Sequence, residues 1–220
     1  MADTLILAGD IGSLYKIQQL VGFLEKLCPY FGNVIYVPGN HEWYTFPGYA
    51  HLPMSTLRER LHSIRIPNLY ILDRGGIRID DVCIIGATLW SDPDFVPNFL
   101  VRIDGMNTEV YRKNHLTDLA YIEYMIEQCQ KFGTRTVVVT HYPPTKQVLD
   151  NDRKKRRFPS LYATDLDELL DSDKVHTWIC GHTHSNFDLT MPGGCRVVSN
   201  QLGKPKDHVL DYDKKFLVTV

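Results

Sequence analysis

The chain has 220 residues, with 24 Lys or Arg against 26 Asp or Glu and a formal net charge of −2. This length suits a single domain over residues 1–220 with a sizeable core. The near-neutral balance gives no reason on global charge to invoke a nucleic acid or a membrane surface. No apolar run approaches the roughly 18 residues of a membrane span, and Asp3 and Asp10 interrupt the amino-terminal region, so neither a span nor a signal peptide is expected. The five cysteines, Cys28, Cys83, Cys129, Cys180 and Cys195, have no C-x-x-C spacing and sit mostly in apolar surroundings, which predicts reduced thiols and a cytoplasmic location.

The first predicted element is a short strand at 4–8 that runs into Gly9-Asp10. A helix follows, with Leu14, Ile17, Val21, Leu24 and Leu27 at helical period, closed by Pro29 and Gly32. A strand at 34–37 runs into Pro38-Gly39-Asn40-His41-Glu42. Next come a helix at 54–64 and strands at 69–72, 76–80 and 82–86. A long helix at 108–132 places Leu119, Ile122, Ile126 and Cys129 on one face. A strand at 137–140 runs into His141-Tyr142-Pro143-Pro144, a short helix covers 165–170, and the apolar run 175–180 leads into Gly181-His182-Thr183-His184. The remainder reads as strands at 186–191, 196–199 and 216–220, with Gly193-Gly194 as a hairpin turn. This alternation predicts an α/β (α+β) fold, two packed mixed sheets flanked by helices. The irregular stretches 91–105 and 145–160 follow strand ends and are expected to rim the same edge.

Four of these units share one layout, a short β-rich run ending in residues able to bind metal. Each residue alone has an ordinary explanation. Asp10 is placed to cap a helix, Asn40 to sit in a turn, and His141 to be a hydrogen-bonded core histidine. His182 and His184 would face opposite sides of a strand, but a glycine-led loop can turn both to one centre. Jointly the ordinary explanations require several coincidences at one sheet edge, where open α/β folds place their sites. A metal site is therefore the better reading.

With these residues in place, the chain resembles the calcineurin-like metallophosphoesterase superfamily. Gly9-Asp10, Gly39-Asn40-His41-Glu42, His141 and Gly181-His182-Thr183-His184 match its motifs in order, and Gly86-Ala87-Thr88-Leu89-Trp90 is similar to a small bacterial-type branch. The resemblance implies a four-layer β-sandwich of mixed sheets flanked by helices. It implies that Asp10 bridges two metals, that Asn40, His141 and His182 complete one shell, and that His184 belongs to the other. His41 would contact the phosphate or protonate the leaving oxygen. Carboxylate, amide oxygen and imidazole suit Mn, Fe, Zn or Ni, with Mn favoured. Such an ion polarises the phosphoryl oxygen and acidifies a water for in-line attack, while an imidazole near neutrality donates the proton.

The family's first motif, D-x-H, has no counterpart, since Met1-Ala2-Asp3 leave no room for it. In the family it gives two ligands to the metal shared with His184. One well-held ion is expected, with the second weak or absent. An exposed sheet edge, and a homodimer formed through it, are expected as well.

The run Arg153-Lys154-Lys155-Arg156-Arg157 reads first as a solvated loop. The sharper reading is a phosphate-steering patch, with Phe158 and Tyr162 near in sequence as stacking surfaces, which keeps nucleotide and nucleic-acid substrates open beside phosphorylated small molecules. Trp90, Tyr44 and Tyr142 are candidates to line the pocket or simply to pack. The function expected is metal-dependent hydrolysis of phosphomonoesters or phosphodiesters. The alternative is a protein-binding scaffold on the same fold with little or no catalysis, against which His41 argues.

Overall fold

The computed structural model describes residues 3–150 and 157–220. It has nine strands: β1 Thr4–Ala8, β2 Asn33–Val37, β3 Leu69–Ile71, β4 Gly75–Ile79, β5 Val82–Ala87, β6 Arg135–Thr140, β7 Thr177–Ile179, β8 Phe187–Thr190 and β9 Arg196–Ser199 among the described residues. The α-helices among these residues are α1 Ile17–Leu27, α2 Met54–His62 and α3 Thr108–Lys131. β1, β2 and β3 form a parallel three-stranded sheet. The other six form a mixed sheet in the order β4-β5-β6-β7-β9-β8, parallel from β5 through β9 with antiparallel strands at both edges.

Strand periodicity explains the layering. On β2, Val34 and Tyr36 face a cluster with Leu20 and Leu24 of α1 and Leu57 and Leu61 of α2. Ile35 and Val37 point the other way and pack with Ile84, Val137 and Val139 of the second sheet. On that sheet, Ile85 and Val138 turn outward to Ile122, Ile126 and Cys129 of α3. The result is helix, sheet, sheet, helix. Central strands buried on both faces read in the sequence as unbroken apolar runs rather than as alternation.

The predicted helix and strand positions match closely, with three differences. The segment 216–220 is not a strand; Leu217 is 61 % exposed, so it lacks the sheet face that would repay extension. The helix expected at 165–170 is only a 3-10 turn, Asp167–Leu169. The helix after Asp10 begins as a 3-10 turn, Leu14–Lys16, capped by Ser13, before α1. The reading of all five cysteines as reduced is corrected for Cys83 on β5 and Cys129 on α3, whose packed faces bring them together as a disulfide. Cys28, Cys180 and Cys195 are free and buried. Among the described residues no helix is long and apolar enough to cross a membrane. The basic run at 153–156 lies outside the described residues; Arg157 is described and lies over the Phe158 ring, 5.2 Å from its centroid.

Candidate metal centre

Asp10 follows β1, Asn40 and His41 follow β2, His141 follows β6, and His182 and His184 follow β7. All of these strands run in parallel pairs, so their carboxyl ends lie along one edge of the two sheets. Close approach of the loops depends on glycine. A Cβ on Gly39 would run into the Asp10 carboxylate, the Asp10 backbone nitrogen and the His141 ring; one on Gly9 would meet His141 and the Gly39 backbone. Asp10, His182 and His184 hold left-handed backbone, with φ of 58°, 68° and 51°. Non-glycine residues adopt that region at a cost, which is concentrated at functional sites.

Four side chains meet. Asn40 Oδ1 lies 2.9 Å from His141 Nε2 and 3.1 Å from His182 Nδ1. Those two imidazole nitrogens are 3.2 Å apart, and His141 Nε2 is 3.4 Å from Asp10 Oδ1. The protons are placed by what lies behind each ring. His141 Nδ1 faces the Ala8 carbonyl at 2.9 Å and His182 Nε2 faces the Leu161 carbonyl at 3.2 Å. A carbonyl only accepts, so those nitrogens carry the hydrogens, and Nε2 of His141 and Nδ1 of His182 present lone pairs inward. The Asn40 amide NH₂ donates to the Tyr44 hydroxyl at 2.9 Å, which assigns its oxygen to the centre. Acceptors thus converge from four loops. Donors bound to one ion at about 2.1 Å stand roughly 3.0–3.4 Å from one another, so the set fits a divalent transition metal. Among the described residues, no three His, Cys, Asp or Glu side chains make a metal-holding group by themselves; the Asn40 oxygen is the atom that joins the imidazoles.

The electrostatics agree with the geometry. Burial would raise the Asp10 carboxyl, but His141, His41, His182 and the His41 backbone N–H outweigh it and hold Asp10 below the usual range. Burial, helped by His141, pushes His182 well down and keeps it neutral, the form that ligates. His41 stands apart from the four. Its Nε2 is 4.0 Å from Asp10 Oδ2, and its ring stacks on Tyr44 at 4.5 Å between centroids. Burial lowers its pKa against the pull of Asp10. His184 also stands apart; its Nδ1 is engaged by Asp207 at 2.7 Å and its backbone N–H by Gln201 at 2.8 Å.

Glu42 was not assigned a role from the sequence, whereas Tyr142 was a candidate to line the pocket. Glu42 is fully buried and accepts hydrogen bonds from the backbone N–H of Asp10, Ile11 and Gly39 and from the Tyr36 hydroxyl, at 3.0, 2.6, 2.8 and 2.8 Å. It ties the Gly9-Asp10 loop to the Gly39-Asn40 loop. Its place in Gly39-Asn40-His41-Glu42 was the available signal, but only the fold brings the donors. Tyr142 lies over the His182 ring at 4.0 Å between centroids, and Tyr111 donates to its hydroxyl at 3.0 Å. The stretches expected at the rim do reach it. Phe95 and Phe158, one from each stretch, approach to 6.1 Å between ring centroids, Arg102 accepts from the Thr45 N–H at 2.7 Å, and Leu161, just past the second stretch, supplies the carbonyl behind His182. Trp90 packs with Tyr111 and Tyr142 one layer deeper.

A family profile described as calcineurin-like phosphoesterase matches residues 1–186. An uncharacterized protein, L509, of Acanthamoeba polyphaga mimivirus is 24 % identical over 221 residues, covering 90 % of this chain and 78 % of the viral protein. Among solved structures, the phosphopantetheinyl hydrolase of Mycobacterium tuberculosis superposes with a TM-score of 0.68 at 17 % identity, over 94 % of this chain and 81 % of that one. A dimetal phosphatase from Danio rerio gives 0.53 at 14 % identity, over 90 % and 71 %. At these identities the structural likeness establishes the fold.

Proposed function

The chain belongs to the calcineurin-like phosphoesterase family, and from that premise we propose that it hydrolyses phosphate esters with a divalent transition metal held by Asp10, Asn40, His141 and His182. The observation that supports this reading most is the convergence of Asn40 Oδ1, His141 Nε2, His182 Nδ1 and Asp10 Oδ1, with the proton of each imidazole drawn away by a backbone carbonyl. A metal bound there supplies Lewis-acid polarisation of the phosphoryl oxygen and acidifies a water.

The chain's own residues do the rest. Asp10 is pinned by the His41 backbone N–H on Oδ1 at 2.9 Å, so its carboxylate is oriented before any ligand arrives. His41 has a side chain 37 % exposed, beside the centre. Neutral in the free protein, it gains proton affinity when an anionic phosphate comes near. It takes a proton from solvent and gives it to the oxygen that leaves as the P–O bond breaks. Tyr44 supports both neighbours, its ring under His41 and its hydroxyl on the Asn40 amide. We assign His184 to a second, weaker ion.

The test is hydrolysis of chromogenic phosphomonoester and phosphodiester substrates by metal-stripped protein, with Mn, Fe, Zn or Ni restored one at a time. Metal-dependent turnover of either substrate supports the reading. Retained metal without turnover of any phosphate ester would favour a binding scaffold.

A further inference from the structure

We infer that Asp207 is the positioning residue for His184, a carboxylate that fixes its tautomer and ring orientation for the metal centre. The inference rests on the reading of that centre as a divalent-metal site. Asp207 lies beyond residues 1–186, the stretch matched by the family.

The argument starts from what the other two imidazoles show. His141 and His182 each have one ring nitrogen backed by a carbonyl, from Ala8 and from Leu161, and each turns the other nitrogen inward. His184 likewise has one ring nitrogen backed by an acceptor, here a carboxylate. Its Nδ1 stands 2.7 Å from Asp207 Oδ2. A carboxylate accepts, so Nδ1 carries the hydrogen and Nε2 keeps the lone pair. A metal-ligating histidine characteristically donates its other N–H to a carboxylate or carbonyl, which sets the ring and raises its basicity. A carboxylate does this more strongly than a carbonyl, because the bond is charge-assisted.

The tail is built to hold Asp207 there. Gln201 accepts the His184 backbone N–H at 2.8 Å, and its NH₂, with two hydrogens to share, lies 3.1, 3.0 and 2.7 Å from Thr183 Oγ1, Ser185 O and Ser199 Oγ. This ties the tail to the Gly181-His184 loop. Gly203, at φ 66°, then turns the chain against His184, where a Cβ on the glycine would lie 3.5 Å from the His184 Cβ. The turn closes on itself, with the Lys204 N–H donating to Asp207 Oδ2 at 2.7 Å and the Asp207 N–H to Lys204 O at 2.8 Å. Asp207 is thus anchored through its own backbone and through Lys204, and it spends one carboxylate oxygen on both Lys204 and His184.

The experiment is long-range ¹H–¹⁵N NMR of the imidazoles in metal-free, ¹⁵N-histidine-labelled full-length protein, comparing wild type, Asp207→Ala and Asp207→Asn. The expected wild-type pattern is a single His184 tautomer with the hydrogen on Nδ1. In Asp207→Ala, His184 moves to a mixture or to the Nε2–H form, Asp207→Asn falls between, and the His141 and His182 patterns do not change. A parallel titration reads the metal needed for half-maximal hydrolysis. Asp207→Ala raises it by about 10- to 100-fold yet keeps the ion that survives dialysis, and it adds no further loss to His184→Ala. An unchanged His184 pattern in Asp207→Ala, or an Nε2–H tautomer in the wild type, overturns the proposal. So does loss of the retained ion in Asp207→Ala. If the wild type hydrolyses no phosphate ester, the proposed function falls, and the NMR pattern still decides whether Asp207 sets the His184 ring.

Discussion

The backbone N–H of Asp10 donates to the carboxylate of Glu42 across 3.0 Å, from the loop after β1 to the loop after β2. The second oxygen of Glu42 takes Ile11 at 2.6 Å and Tyr36 at 2.8 Å. Every one of these partners is a donor, so the site calls for an acceptor-only group. Burial, with Asp10 nearby, pushes Glu42 up to about 7 against those hydrogen bonds. Glu42→Gln places an NH₂ group among donors. Unfolding in urea should show a loss of roughly 2–3 kcal/mol, the scale of a hydrogen bond to a buried charge, and dialysed protein should retain less metal. Unchanged stability and metal content would show that Glu42 is not the tie between the two loops.

His41 and His182 separate the two roles. His182→Ala removes the lone-pair nitrogen that stands 3.1 Å from Asn40 Oδ1 and should abolish both metal retention and hydrolysis. His41→Ala should keep the metal and slow turnover by roughly 10²–10⁴, the span of a lost general acid. Metal loss in His41→Ala would overturn its assignment, and an unchanged rate would turn the account toward a scaffold.

Tyr44→Phe keeps the ring under His41 and deletes the oxygen that accepts from the Asn40 NH₂. Without that acceptor, the amide is free to flip and offer its NH₂ to His141 and His182. Metal affinity should fall by about 10-fold, at the lower end of losses for groups that orient a ligand, with little change in thermal stability. Equal affinity in competition with a chelator would remove Tyr44 from the account.

Asp118 gives the pH dependence. It is buried on α3, where its oxygens accept Arg74 Nη1 at 2.8 Å and the Leu89 N–H at 2.9 Å. Burial pushes it up to about 6, with Asp73 adding to the rise and Arg74 opposing it. A carboxyl whose folded pKa is raised stabilises the fold in its protonated form. That contribution is full below the model-peptide value of 3.8 and is lost as pH rises through about 6. Relative to Asp118→Asn, the wild type should lose about 2–3 kcal/mol between pH 4 and pH 7. A constant difference over that range in chemical denaturation would contradict the assignment.

The layered fold and most of the centre were legible because both follow from local pattern. Apolar runs of strand length that end in Gly-Asp, Gly-Asn-His, His-Tyr-Pro-Pro and Gly-His-x-His set Asp10, Asn40, His141 and His182 at one edge. Glu42 and Asp207 were not assigned because their partners are remote, whereas Tyr44, a candidate for the pocket lining, meets Asn40 and His41 only a turn away. Glu42 meets donors 30 to 32 positions away as well as near ones, and Asp207 meets His184 across 23 positions of tail with no regular period. The Cys83–Cys129 link was illegible for the same reason, since 46 residues separate the pair and only packing of α3 on β5 joins them. The segment 216–220 failed as a strand because a β-rich composition does not supply a sheet edge to pair with.

Elemental analysis of extensively dialysed protein, wild type beside His182→Ala, tests the central claim most directly. The account predicts about one transition-metal ion per wild-type chain, the number that four donors at one position and a separately engaged His184 can hold tightly, and none in the variant. A wild type that retains no metal, or a variant that retains as much as the wild type, would contradict it.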